Sequence, residues 1–493
     1  MADRQSGAPA RRVRAGGGDL ASADGYDLVV AGSGFGSAFF LHEYLRHARR
    51  DARVLVLEKG VARNHAWQLE HPLGLQREAQ RAIDNRTSKL WVFNLALGGG
   101  SNCWWAATPR MLPADFELRT RYGVGRDWPL GYDDLEPYYG DAEHLMQVAG
   151  PSDDTPFTRS RPYPQPPHTL SRVDELLKAS FPDKFFHLPC ARPTRATGKR
   201  PPCCGSGVCG LCPVDAKFTI ANGLPGLFSD PRVTLETGAS VDAVDVQAGQ
   251  ATSLIYRSGG REQRARGELF VLGTNGLFNP HILLRSSLDG PAVGRGLVEQ
   301  LSVDVDVPLA EGAFPLGSTS MTGHGYAFYD GPHRRRRGAA LVETWSVPLF
   351  ASPGGPLRQR VKLKFIIEDL PLPNNRVEVS PDDPTRPLVV FEERSDYAMA
   401  TLRRVGRDAE TLLASLPVEK EVRRKVNNTE SHILGTTAMG VDPASSVVDA
   451  GLVHHTVRNL VVVGSSVFPT APPANPSLTL CALSLRAARR LLS

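Results

Sequence analysis

The stretch Tyr26-Asp27-Leu28-Val29-Val30-Ala31-Gly32-Ser33-Gly34-Phe35-Gly36-Ser37 decides the fold. Tyr26 to Ala31 has the length and apolar content of a buried strand. It runs straight into a G-x-G turn and then, from Ala38 to about His47, into a helix-like stretch. A second apolar strand, Arg53-Val54-Leu55-Val56-Leu57, ends on Glu58. Strand, glycine turn, helix, strand and terminal acid are the parts of a βαβ dinucleotide-binding unit. Gly32 permits the tight turn, and Gly34 lets a pyrophosphate approach the backbone. The helix N-terminus offers free N–H groups and the positive end of its dipole. Glu58 can accept hydrogen bonds from a ribose diol. The third fingerprint position is Ser37, which crowds helix against strand slightly. The turn alone also fits a structural glycine turn in an ordinary α/β sheet, and it leaves NAD and FAD both open.

Composition sets the bounds around this unit. The chain has 493 residues, 41% hydrophobic and 22% charged, which is globular and allows two or three domains or one two-lobed unit. A net charge of +5 gives no case for a nucleic-acid binder. No apolar run reaches the roughly 18 residues of a membrane span. Residues 1–25 lack apolar periodicity and read as a disordered tail. Arg11-Arg12 is followed by Gly16-Gly17-Gly18-Asp19 rather than an apolar stretch, so it is not a twin-arginine signal. A cytoplasmic protein is expected, with export alongside a signal-bearing partner left open.

Two later segments sharpen the reading. One is Leu97-Gly98-Gly99-Gly100-Ser101-Asn102-Cys103-Trp104-Trp105-Ala106-Ala107-Thr108-Pro109-Arg110. The other is His432-Ile433-Leu434-Gly435-Thr436, followed by Leu460-Val461-Val462-Val463-Gly464-Ser465 and Ala474-Asn475-Pro476. Three distant motifs in this order resemble the glucose-methanol-choline (GMC) oxidoreductases, a flavoenzyme family, from Tyr26 to the C-terminus. Tyr122-Gly123-Val124-Gly125-Arg126-Asp127-Trp128-Pro129 is similar to the large subunits of bacterial sugar dehydrogenases. The W-x-x-A-T-P-R stretch ending at Arg110 looks like pyranose oxidases.

The resemblance implies an α/β fold: a Rossmann-like FAD-binding lobe and a substrate lobe built on an antiparallel sheet plus helices. The first lobe is expected over 26–110, 190–300 and 430–493, the second over 111–189 and 301–429. FAD would be held by Gly32, Gly34, Gly36, Ser37 and Glu58, and by Gly99, Gly100, Ser101, Asn102 and Cys103. Val241, on the strand expected over Val233 to Val241 to touch the adenine, would complete the set with Gly464, Ser465 and Asn475. Several relatives carry a flavin-bonded histidine where this chain has Cys103, so non-covalent FAD is the simpler expectation. Alcohol oxidation removes a hydroxyl proton and a carbon-bound hydride, and a neutral imidazole suits the first task near pH 7. By resemblance His432 is that base and Asn475 holds the substrate oxygen. The adjacent His454 and His455 read as turn residues without a catalytic role. The implied activity is oxidation of an alcohol, on a sugar or glycoside. Electrons would go to an external acceptor, such as a partner subunit or a cytochrome. An oxygen-using oxidase and a non-redox lyase of the same fold are the alternatives.

Cys203, Cys204, Cys209 and Cys212 fall within ten residues. Three readings compete: iron–sulfur ligands, as in the sugar-dehydrogenase large subunits; a metal-free cysteine loop; and a zinc site. In the substrate lobe, Ala339–Ser346, Arg360–Asp369, Arg376–Ser380 and Pro387–Glu392 read as strands, and Asp396 to about Leu416 as a helix. Glu343, Trp345 and Phe365 are candidates to face the substrate cavity, with packing of the sheet the favoured role for the two aromatics. Arg334-Arg335-Arg336-Arg337 reads as a solvated loop, with a docking patch for an acidic redox partner as the second reading.

Overall fold

Strand β1 (Tyr26–Ala31) is the centre from which the first sheet grows. Its neighbours are β2 (Val54–Glu58) on one side and β8 (Arg261–Leu272) on the other, both parallel to it. β5 (Val233–Thr237) extends the sheet beyond β2, and β16 (Leu460–Val462) pairs parallel with β8. β6 (Ser240–Gln247) and β7 (Gln250–Ser258) form an antiparallel excursion that returns through β8. β1 and β2 are buried along almost their whole length, as expected of parallel strands covered on both faces. The single strand expected over Val233 to Val241 is two, β5 and β6, because Gly238 turns the chain at φ +73°. The helix Phe35–His47 follows β1 directly, and the C-terminal helix Ser477–Leu492 shares its core.

A second sheet, entirely antiparallel, runs β15 (Arg423–Asn427), β9 (Leu301–Pro308), β12 (Arg360–Ile367), β11 (Ala340–Trp345), β10 (Met321–Phe328), β4 (Phe185–His187). The alternation in Val361-Lys362-Leu363-Lys364-Phe365 divides its two faces. Val361, Leu363 and Phe365 pack into a core shared with Ala398, Val405, Ala409 and Leu412 of the helix Asp396–Leu413. The lysines face the opposite way. Register places His324, Glu343, Lys364 and Asp304 in one row across β10, β11, β12 and β9. Opposite-charge neighbours in such a row attract across strands. A short third sheet joins β13 (Arg376–Val379), β14 (Pro387–Val390) and β3 (Asp84–Asn85).

The computed structural model describes residues 25–310, 316–347, 359–419 and 421–492. The tail expected over 1–25 lies outside them apart from Gly25. Among the described residues, no helix is long and apolar enough to cross a membrane.

The arginine run is not one solvated loop. Arg334 is fully buried, with Nη2 2.7 Å from Glu368 and 3.0 Å from Asp115. Arg337 pairs with Asp408, and only Arg335 and Arg336 face solvent. A charge run read along the chain cannot show that its first member points inward to two acids more than thirty residues away on either side.

Candidate active site

One cavity is lined both by the glycine turn after β1 and by the charged row of the second sheet. At the turn, each glycine has a distinct reason. Gly32 adopts φ +90°, and a Cβ there would lie 2.5 Å from the Gly273 carbonyl oxygen. At Gly36 a Cβ would meet the Gly464 nitrogen at 2.8 Å. Gly34 is different: a Cβ there would meet nothing within 4 Å, and the same holds for Gly100 and Gly464. These three glycines line the cavity and leave it open backbone. Gly34 also caps the helix Phe35–His47 without a side-chain hydrogen bond, and the first helical turn carries no acid. An uncapped N-terminus beside bare backbone fits a diphosphate. Glu58, on the cavity wall, accepts from Ser33 N (2.9 Å), Ser33 Oγ (2.6 Å) and Gly60 N (2.7 Å). Burial raises its carboxyl above the ordinary value.

Of the remaining expected cofactor residues, Gly99, Cys103, Val241, Ser465 and Asn475 line this cavity. Ser37, Ser101 and Asn102 do not. Ser37 Oγ packs between the Ala31 and Gly273 carbonyls at 3.4 and 3.5 Å, and residue 273 being glycine is what admits it. Ser101 Oγ donates to Gly98 O at 2.7 Å, and Asn102 Nδ2 to Leu97 O and Gly99 O at 3.1 Å each. These side chains hold the turn that presents Gly99 and Gly100. Cys103 donates to Gly100 O at 3.6 Å, and burial pushes its thiol up, which disfavours a nucleophilic thiolate.

His432 and Asn475 come together at the cavity from loops on either side of β16. His432 is placed by a short antiparallel pairing in which Val298 and Leu434 exchange backbone hydrogen bonds at 3.1 and 2.9 Å. Gly435 turns the chain immediately afterwards at φ +73°, where a Cβ would strike the Gly296 carbonyl at 2.2 Å. Buried Glu299 fastens the approach: its Oε1 accepts from Thr429 Oγ1 (2.8 Å), Glu430 N (2.8 Å) and His432 N (3.1 Å), while Lys89 neutralises it. Burial drives the His432 imidazole down to about 4, with Glu299 and Glu343 opposing, so it is neutral at physiological pH. Asn475 Nδ2 donates to Glu343 Oε1 at 3.3 Å, and its buried Oδ1 has no partner within the protein. An unsatisfied acceptor on a cavity wall suits a ligand hydroxyl.

The second sheet supplies Glu343, Trp345 and Lys364 to the wall. Burial opposes the charge of Glu343. Nearby His324 and Lys364 and the Trp345 Nε1–H (2.9 Å) outweigh it and hold the carboxyl at about 2. Lys364 pairs with Glu430 at 2.9 Å. Trp345 lies against Trp105, ring centroids 4.7 Å apart, and both line the cavity. Sheet packing, the role that the sequence favours for both aromatics, holds for Phe365, which is core, whereas Trp345 faces the cavity. Lys364, Glu430, Glu299 and Trp105 carry no motif signal as site residues; only the strand alternation around Lys364 hinted at a polar face. His454 and His455 lie off the cavity. His454 Nδ1 accepts from Val457 N at 3.2 Å, and His455 Nε2 bonds Ser446 Oγ at 2.8 Å.

The iron–sulfur reading of Cys203, Cys204, Cys209 and Cys212 is not supported. Among the described residues, no three His, Cys, Asp or Glu side chains lie together as metal ligands. Cys203 contacts Thr319 Oγ1 at 3.4 Å, Cys209 contacts Ser320 Oγ at 3.0 Å, and Cys204 faces solvent. The loop is instead tied to the cavity wall by buried Lys217, which donates to the carbonyls of Asn102, Trp104 and Gly210 at 3.1, 2.9 and 2.7 Å.

Comparison with known proteins agrees with this architecture. Residues 371–484 match the GMC oxidoreductase family model that describes the C-terminal region. The chain is 27% identical to the fructose dehydrogenase large subunit of Gluconobacter japonicus, over 95% of this chain and 98% of that one. It is 29% identical to 6'''-hydroxyparomomycin C oxidase of Streptomyces lividus, over 95% and 91%. It is 27% identical to paromamine 6'-oxidase of Streptomyces fradiae, over 94% and 91%. Its fold superimposes on pyridoxine 4-oxidase from Mesorbium loti with a TM-score of 0.64 at 18% identity, covering 94% of this chain and 99% of that one. The motif order, the glycine-lined cavity and these likenesses all point to the GMC oxidoreductases, flavoprotein enzymes that act on alcohol groups, as the proteins this chain resembles along its length.

Proposed function

We propose that the protein oxidises a hydroxyl of a sugar or amino sugar, with His432 as the base, Asn475 as the clamp on the substrate oxygen, and an external electron acceptor. The observation that carries this is the pairing at the cavity wall of a neutral imidazole and an amide oxygen with no partner. Non-covalent FAD would be held by Gly32, Gly34, Glu58, Gly99, Gly100, Val241, Gly464 and Ser465. Once bound, it supplies the hydride acceptor that the side chains here lack. The residues do the rest. Asn475 donates its second N–H to the oxygen of the reacting hydroxyl and offers Oδ1 to a neighbouring hydroxyl. His432 takes the hydroxyl proton at a ring nitrogen. Trp105 and Trp345 give an apolar face for a sugar ring, and Glu343 and Lys364 give charged hydrogen-bonding partners for its remaining hydroxyls or amines. The names of the relatives, a fructose dehydrogenase and two aminoglycoside oxidases, support this substrate class. On this reading the two larger sheets correspond to a cofactor lobe and a substrate lobe.

The test is anaerobic mixing of the holoenzyme with a panel of sugars and amino sugars, followed by visible flavin absorbance. Bleaching by one of them is expected. His432→Ala should slow it by about 10²–10⁴-fold, the usual contribution of a general base. Full-rate bleaching in that variant would remove His432 from the role. Peroxide formed on readmitting air would make the enzyme an oxidase; its absence, with turnover of a quinone or dye, would make it a dehydrogenase.

A further inference from the structure

We infer that Gln300 fixes the tautomer of His432 and thereby decides which ring nitrogen is free to accept the substrate proton. The inference rests on His432 being the base. Its starting point is strand register. Val298 and Leu434 are directly paired in antiparallel sense, so two residues along each chain Gln300 stands opposite His432. Gln300 is fully buried. Its Nε2 lies 2.7 Å from the Pro472 carbonyl oxygen, which can only accept, so that end of the amide is the NH₂. The other end, Oε1, lies 3.2 Å from His432 Nδ1. An amide oxygen only accepts, so Nδ1 carries the proton and Nε2 the lone pair. Turning the amide over would set two acceptors against each other at Pro472. No such constraint comes from the charges around the ring. Glu299 bonds backbone N–H groups and Lys89, Lys364 bonds Glu430, and Glu343 bonds Asn475 and Trp345.

Pro472 lies three residues before Asn475. One buried amide therefore spans the loop that carries the base and the loop that carries the oxygen clamp. Gln300 acts through His432 and touches neither substrate nor cofactor; it is a positioning residue.

The test reads the tautomer directly, by NMR of the holoenzyme labelled with nitrogen isotope in histidine, with the His432 signal identified by its loss in His432→Asn. Wild type should show Nδ1–H. Gln300→Met keeps the volume and removes both hydrogen bonds, so His432 should drift toward Nε2–H, the form free imidazoles prefer. The variant's kcat should fall about 10²-fold, the low end of a general base's contribution, with KM little changed and flavin content retained. An Nε2–H signal in wild type, or Nδ1–H undiminished in Gln300→Met, would overturn the inference. Should Gln300→Met fail to hold flavin, the wild-type tautomer still decides. A fully active His432→Asn would instead refute the base assignment, whatever tautomer is seen.

Discussion

The two ends of the cavity are built from opposite materials. At the glycine turn the protein withdraws its side chains. Gly34, Gly100 and Gly464 expose bare backbone, and the helix Phe35–His47 begins uncapped. At the second sheet it does the reverse, burying Glu343 and Lys364 where the opposite face of the same strands is apolar. Under the proposed function, the difference follows from what each end would have to recognise. A diphosphate has a fixed shape and charge that repeated N–H groups match in any chain. A polyhydroxylated substrate needs particular side chains at particular angles, and these come from cross-strand register.

The comparison predicts that the charged end is costlier to disturb. Lys364→Met leaves Glu430 buried without its cation, 2.9 Å from where the ammonium was. Removing one partner of a buried pair costs about 3–5 kcal/mol, and a large fall in Tm is the expected readout. A Tm within a degree or two of wild type would mean that water already screens this wall.

Within the glycine end, Gly32 and Gly34 should separate. Gly32→Ala forces a Cβ at φ +90° to within 2.5 Å of the Gly273 oxygen. It should destabilise the fold by about 1–3 kcal/mol. Gly34→Val meets no protein atom at Cβ, so denaturant unfolding of the apoprotein should be nearly unchanged while flavin affinity falls. Equal losses of stability in both variants would erase the distinction between turn glycine and cofactor glycine.

The smallest expected effect is on pH dependence. The folded protein holds His432 at about 4, below its ordinary 6.5. Between those values the unfolded chain takes up a proton that the folded chain refuses, so this residue's contribution to stability declines as pH falls from 6.5 toward 4. Near pH 5.5 the decline is about 1 kcal/mol. Chemical denaturation at pH 7 and pH 5.5 should show it as a loss smaller by that amount in His432→Asn than in wild type. Buried carboxyls that titrate the other way, such as Asp115 raised to about 6, are common to both proteins and cancel in the difference.

The parts of the fold that were legible beforehand share one property: they are local. The run Tyr26–Ala31 and the glycines after it specified strand and turn, because the run is short and apolar and glycine takes φ +90° without the strain of a side chain. The alternation at Val361–Phe365 specified a two-faced strand. Over residues 339–392, the strands expected from pattern appear within three residues of their expected ends. The failures are non-local. Arg334 read as solvated because its acids, Asp115 and Glu368, are far away along the chain. The four clustered cysteines suggested shared ligation, but neighbours in sequence can take separate partners, and Cys203 and Cys209 turn to Thr319 and Ser320.

By itself, then, the sequence determined the βαβ unit, the glycines of its turn and, through three ordered motifs, the likeness to a family. Short-range sterics and hydrophobic period decide those features, and both are written in adjacent residues. Only the tertiary structure decided which side chain bonds His432 and which line the cavity with it. Gln300 is 132 positions away, Glu343 and Lys364 arrive from two different strands, and Trp105 arrives from the segment after Gly100. No spacing encodes such contacts, because they arise from how strands pair and stack, and pairing is fixed by the whole sheet rather than by any segment within it.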